Sequence, residues 1–266
     1  MTTWNFPCTE PAAISITHWA SGSVAVAGEQ TDAVSVEVVG SDPRANVDDL
    51  LAQVKVTFEN GTLSVRGPRA EGLWRRRSGL DLTIKAPAGS ACEAHTASAD
   101  VSVVGQLDAL SVHTASGDIT ATAECGPITV HTASGDVFLE RADAEAEITT
   151  ASGDVKIGRV SGDVSINAVS GDLSIGSATG QIGARTISGD IAIRDFSAGQ
   201  ANLTTTSGDV QVTVTPDLGV YLDLSTMSGR VGSELDEQEG DGTDTALEIK
   251  CRTISGDIRV SKALAA

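Results

Sequence analysis

The sequence predicts an all-β chain wound as a parallel β-solenoid, two-sided, with 18-residue coils. Three observations carry that reading. The triplet Ser-Gly-Asp starts at Ser116, Ser134, Ser152, Ser161, Ser170, Ser188, Ser207 and Ser255, with degenerate copies at Ser98 and Ser228. From Ser98 to Ser188 the step is 18 residues, and Ser161 falls nine residues after Ser152, so each unit divides into two nine-residue halves. Hydrophobic residues make up 40% of the 266 residues but aromatics only 3%, and there are 28 Gly. An interior of Val, Ile, Leu, Ala and Thr suits thin, regular β layers, and the glycines supply frequent turns.

The strands follow in order. After each triplet comes an alternating pair: Val101/Val103, Val137/Leu139, Val155/Ile157, Leu173/Ile175, Ile191/Ile193, Val210/Val212 and Ile258/Val260. Period-2 alternation marks a strand with one buried face. A second pair fills the other half-repeat, as in Leu110/Val112, Ile128/Val130 and Val164/Ile166. Neither half can bury its apolar face alone, whereas stacked coils can. Three-sided winding with six residues per face also divides 18, but the nine-residue half-repeat favours two sides. Beyond Ser188 the steps lengthen to 19, 21 and 27 residues, read as loops inserted between successive coils.

Residues 1–91 are read as an irregular N-terminal β-strand cap region, continuous with the solenoid of Ser-Gly-Asp repeats at 92–266. The cap alternates at Ile14/Ile16, Val24/Val26, Val34/Val36/Val38, Val54/Val56/Phe58, Leu63/Val65 and Leu80/Leu82/Ile84, and carries five of the eight aromatics. An uncapped solenoid end would expose a bare strand edge. "DDLLAQV" at 48–54 is read as a helical turn, and the acidic stretch near 233–246 as a mobile loop.

The formal net charge of -18 excludes nucleic acid as a partner, because binding there rests on Lys and Arg neutralising phosphates. The first twenty residues lack the basic and apolar regions of a signal peptide, and no apolar run approaches the ~18 residues of a membrane span. The expected location is therefore the cytoplasm, without a transmembrane segment. Cys8, Cys92, Cys125 and Cys251 form no CxxC pair and are read as reduced thiols.

The recurring "TASGDV", the "SGSVAVAGE" start, and "GTLSV" followed by "LDLTIKAPAGS" resemble the bacterial putative-adhesin β-strand-repeat family of unknown function. The resemblance spans nearly the whole chain. It implies a β-solenoid-like fold, no known enzymatic activity, and relatives associated with the cell envelope or its stress responses, some with membrane segments.

"HTASGDI" at 113–119 and "HTASGDV" at 131–137 place His, Ser and Asp together, yet they do not make a catalytic triad. A triad needs His to bridge Ser and Asp beside an oxyanion hole. These residues lie within six positions on a strand and its turn, and the corners at Ser152, Ser170 and Ser188 carry Thr149, Asn167 and Arg185 in place of the His. No catalytic residues are assigned. Ser116, Gly117, Asp118, Ser134, Gly135, Asp136, Ser152, Gly153, Asp154, Ser170, Gly171, Asp172, Ser188, Gly189 and Asp190 are read as a structural turn ladder.

Stacked carboxylates at ~4.8 Å repel by about 1 kcal/mol per pair in water. A carboxylate that accepts a backbone N–H gains roughly 1.5–3 kcal/mol and offsets this. Cofactors are expected to be none, with Ca²⁺ at the Asp column and Zn²⁺ at the outward-facing His95, His113 and His131 as the alternatives. The Ca²⁺-binding β-roll motif places Asp two residues before the apolar position, not one as here, and offers more oxygen ligands than this corner. Trp74, Arg75, Arg76 and Arg77 are a candidate interaction loop, suited to peripheral membrane contact or an acidic partner.

The function expected is a non-enzymatic scaffold or protein-interaction solenoid with an unknown protein partner, linked to the cell envelope or stress response. A self-assembling, oligomeric structural protein is the first alternative. A carbohydrate-active β-helix enzyme, which rests on analogy of fold alone, is the second.

Overall fold

The computed structural model describes residues 1–42, 47–68, 79–216, 218–235 and 245–263. The chain is an all-β parallel solenoid with one short helix among these residues, and it divides into two compact units, Met1–Asp136 and Val137–Ala266.

The first unit contains β1 (Thr2–Pro7), β2 (Ala13–Glu29), β3 (Ala33–Gly40), α1 (Asp48–Leu51), β4 (Lys55–Glu59), β5 (Thr62–Arg66), β6 (Leu80–Pro87), β7 (Ser90–Thr114), β8 (Ile119–Ala121), β9 (Glu124–Cys125) and β10 (Ile128–Thr132). β2 and β7 each run through a corner, so one continuous strand serves both sides of a coil. β7 lies parallel to β2 through Ala13↔Ala91 and Val24↔Val101, and on its other edge receives β8, β9 and β10. Alternation does the packing. Ile14, Ile16, Val24, Leu82, Ile84, Val101, Leu110 and Ile128 all turn inward with at most 3% exposure, and each fully buried side chain of this size contributes roughly 1.5–3 kcal/mol.

The winding departs from chain order. β5 and β6 pair in parallel with the opposite edge of β2, through Ile14↔Leu63 and Val24↔Leu82. The first coil therefore lies between the second coil, β5 and β6, and the third, β7. Antiparallel strands then cover that second coil: β3 lies on β6, β1 on β3, and β4 on β5. Trp19, 1% exposed, donates its indole N–H to the Leu80 carbonyl at 2.9 Å, fastening the corner of the first coil to the second.

In the second unit two stacks alternate along the chain. One side holds β12 (Ala146–Ser152), β14 (Val164–Ser170), β16 (Gln181–Arg185), β18 (Gly199–Thr204), β20 (Gly219–Ser228) and β22 (Thr245–Ser255). The other holds β11 (Val137–Ala142), β13 (Val155–Val160), β15 (Leu173–Ala178), β17 (Ile191–Phe196), β19 (Val210–Val214), β21 (Val231–Ser233) and β23 (Ile258–Lys262). Neighbours are parallel and register by repeat position. Val155, Leu173, Ile191, Val210 and Ile258 form one buried column, and Ile148, Ile166 and Ala184 belong to another. Two strands per 18 residues agree with two-sided winding.

Here the sequence reading needs a correction. The long steps after Ser207 are not loops between consecutive coils. Ser207 bridges Ser255, and Ser255 pairs with Ser228, so β22 and β23 lie between the coil of β18 and β19 and the coil of β20 and β21. A parallel rung offers the same hydrogen-bonding edge to any coil, so local pattern cannot set the order of stacking.

Candidate functional site

Four features of the surface could carry function. They are the Ser-Gly-Asp corner, the His column beside it, the polar face of the second unit, and its outermost coil.

At the corner, within each unit, Asp carboxylates accept the backbone N–H of the Asp one coil further on. In the first unit Asp100 Oδ1 accepts from Asp118 at 3.1 Å, and Asp118 Oδ1 from Asp136 at 3.0 Å. In the second, Asp154 accepts from Asp172, Asp172 from Asp190, and Asp190 from Asp209, at 2.8–3.0 Å. The ladder continues in spatial order, from Asp209 to Asp257 at 2.7 Å and from Asp257 to the N–H of Arg230 at 2.8 Å. Arg230 brings a cation where the other corners bring a carboxylate, and it ends the series.

Glycine is required at this corner by close approach. A Cβ on Gly135 would stand 2.0 Å from the Gly117 carbonyl oxygen, and one on Gly117 would stand 1.9 Å from that of Ala99. The Thr before the triplet is a working part that the sequence reading passed over. Thr132, 7% exposed, accepts the Gly135 N–H on its hydroxyl at 3.1 Å, and Thr114 does the same for Gly117. A Thr three residues before the Gly at Thr114, Thr132, Thr150, Thr186, Thr205 and Thr253, buried in each case, was the available signal.

His95, His113 and His131 face outward and stack on one another. Ring centroids are 4.7 Å apart for the first pair and 4.8 Å for the second, with interplanar angles of 5° and 22°. His95 Nε2 lies 2.8 Å from Glu93 Oε1. The rings thus contact each other rather than Ser116 or Ser134. Partial burial, followed by the repulsion of His95 and His131, lowers the pKa of His113 below its ordinary 6.5, and Glu93 opposes the shift. Stacked rings hold their nitrogen lone pairs side by side, and among the described residues no group of three or more His, Cys, Asp or Glu converges on a metal position.

The four cysteines are free. Burial pushes Cys92 and Cys251 up to about 12 and Cys125 up to about 11, so these three are not ready thiolates. Trp74, Arg75, Arg76 and Arg77 lie outside the described residues, as do 236–244 of the acidic stretch.

On the β12/β14/β16/β18/β22 side, outward positions form straight columns. Glu147, Ser165, Gly183, Asn202 and Lys250 share one, and Gln181, Gln200 and Glu248 another. Between them runs an open groove of about 480 Å³. Lys250 pairs with Glu248, which holds its ammonium charged and raises its pKa.

This geometry defines a repeat-built β-solenoid whose exposed residues stand in ladders at strand spacing, each coil presenting the same few positions. The chain belongs to the Toastrack family, DUF4097, whose model matches residues 12–261. No curated protein shows significant similarity to it. Solved structures that the chain matches include a putative adhesin from Bacteroides fragilis, 15% identical over 97% of this chain and 96% of that one with a TM-score of 0.49. A putative lipid binding protein from Parabacteroides distasonis is 14% identical over 97% and 96%, with a TM-score of 0.49. A putative adhesin from Parabacteroides merdae is 12% identical over 99% and 96%, with a TM-score of 0.33. Among the described residues no helix is long and apolar enough to cross a membrane.

Proposed function

We propose that this chain is a non-enzymatic interaction scaffold whose outward ladders dock a protein partner at the cell envelope. The observation that carries the reading is the registered column of exposed side chains over an aliphatic interior. Polar groups fixed at strand spacing on a rigid sheet lose little conformational freedom when a partner docks. The corner supports the reading too, because its carboxylates hold successive coils together through Oδ1 and its Thr hydroxyl holds the turn.

Photo-crosslinkers placed singly at Ser165 and Asn202 on one face, and at Lys156 and Ser174 on the other, test it in living cells. Adducts confined to one face are the expected result. Hydrolytic turnover by the purified chain that withstands substitution of both faces would overturn it. Cell fractionation with the same strains tests the envelope link, with recovery in the envelope fraction expected.

Self-assembly has one observation in its favour. β20 and β21 have no further strand on their outer edge among the described residues, and Tyr221, Met227 and Val231 are 54%, 83% and 48% exposed there. Such an edge is a template for another strand. Sedimentation velocity across a concentration series decides it: a monomer at every concentration removes this reading.

A further inference from the structure

Gly183 and Gly232 are the exceptions among the glycines of the second unit's sheets and corners, and Gly232 lies in the outermost coil, paired on one side only, whereas Gly183 has a coil on both sides. A Cβ at Gly158, Gly176 or Gly171 would fall within 2.6 Å of a neighbouring carbonyl oxygen, whereas at Gly183 it would meet only Val164 O, at 3.9 Å. The backbone φ at Gly183 is not positive either. Nothing in the fold therefore demands glycine at the centre of β16, where it weakens the strand, and glycine in a strand interior often marks close approach by a ligand. Its effect is a notch in the exposed column between Ser165 and Asn202, which forms the floor of the groove.

The walls around that floor have mixed chemistry. Gln181, Gln200 and Asn202 present amides that donate and accept, Ser165 a hydroxyl, and Glu145, Glu147, Asp163 and Glu248 carboxylates that accept. Lys250 is already engaged by Glu248, so the groove offers no free cation among these groups to hold an anion. A simple cation would engage the carboxylates and leave the amides unmatched. A polyhydroxylated ligand, whose every hydroxyl both donates and accepts, matches the whole set. One rung beyond Glu248 in the same column stands Tyr221, the single tyrosine of the chain, 54% exposed. Its ring offers an apolar face with a polar tip, suited to the C–H face of a sugar ring.

We propose that the groove over Gly183 binds a neutral oligosaccharide, lying along the stacking axis from Glu147 toward Tyr221. The span from β12 to β22 is about 19 Å at the ~4.8 Å strand spacing, long enough for several sugar units. The proposal rests on the scaffold reading above and names a ligand for one of its faces.

An array of neutral, acidic and amino-sugar oligosaccharides, with oligolysine peptides printed beside them, is the test. The full chain is expected to retain at least one neutral oligosaccharide. Gly183→Val should weaken that binding by ~10-fold or more, the equivalent of about 1.4 kcal/mol, while the melting temperature holds or rises because a β-branched residue suits a strand. Tyr221→Ala should weaken it several-fold. Failure to retain any neutral sugar, binding by Gly183→Val equal to wild type, or retention of oligolysine in place of sugar would each overturn the proposal. Protein cross-links that persist when no sugar is retained would leave the scaffold reading standing, so the two can fail separately.

Discussion

The outer coils of the two units solve the same problem differently. In the first unit the outer coil, β5 and β6, is covered by antiparallel β4 and β3, and its inward residues Leu63, Leu82 and Ile84 are fully buried. In the second unit the outer coil, β20 and β21, has nothing beyond it among the described residues, and its inward Leu222 and Leu224 stay half-exposed. In each unit one coil is nevertheless stacked out of chain order, β2 between β5/β6 and β7, and β22/β23 between β18/β19 and β20/β21. The lesson is that antiparallel strands protect an outer edge, and among the described residues this device is used in the first unit only.

The strongest way to break the comparison is to remove the tucked coil. Truncation after residue 244 deletes β22 and β23, with Leu247, Ile249, Cys251, Ile258 and Val260 all 1% exposed or less. At roughly 1.5–3 kcal/mol per large side chain this should lower the melting temperature by more than about 10 °C. Amides of 219–233 should lose hydrogen-exchange protection as well, since their only paired neighbours among the described residues are gone. Retained protection there would show that β20 and β21 stand independently.

A matched pair of cavity variants comes next. Ile84→Ala should cost about 2–5 kcal/mol by chemical denaturation, and Leu224→Ala about 1 kcal/mol or less, because half-exposed positions lose little burial. Equal costs would mean that the outer coil of the second unit is covered after all. Smaller still is the corner, where Thr132→Val removes the acceptor for the Gly135 N–H and should cost about 1 kcal/mol.

Acid should act on the His column with a defined sign. The pKa of His113 is lower folded than its ordinary 6.5, so the unfolded chain binds the proton more readily. Stability present above about pH 6.5 is then lost as the pH falls toward the depressed value. Melting curves from pH 7.5 to 5 should show this decline, and His113→Gln should flatten it. An unchanged slope in that variant would place the acid sensitivity elsewhere. NMR titration should find the His113 midpoint below 6.5.

Much of the molecule was readable in advance because its physics is local. Alternation at Val155/Ile157 or Leu173/Ile175 says which residues face inward, and the 18-residue step says which of them stack. The Asp corner was legible for the same reason, since a carboxylate beside a glycine turn has an N–H within reach one coil away. Thr132 and Thr114 escaped notice because Thr reads equally well as a strand residue, and only its 7–8% exposure reveals a cap. The groove was invisible: Gly183 looks like any other glycine until the empty space above it is measured.

Sequence by itself determined that this chain is a two-stranded coil repeated at 18 residues, with an aliphatic interior and an acidic corner ladder. Those properties follow from side-chain period and turn chemistry, which act over a few residues. Tertiary structure alone decided that the first coil lies between the second and the third, and that β22 and β23 lie between the coil of β18 and β19 and that of β20 and β21. The corners at Ser207, Ser228 and Ser255 carry nearly the same residues and offer the same backbone edge. Their order is settled by which arrangement buries more edge and core, a property of the whole stack that no single repeat contains.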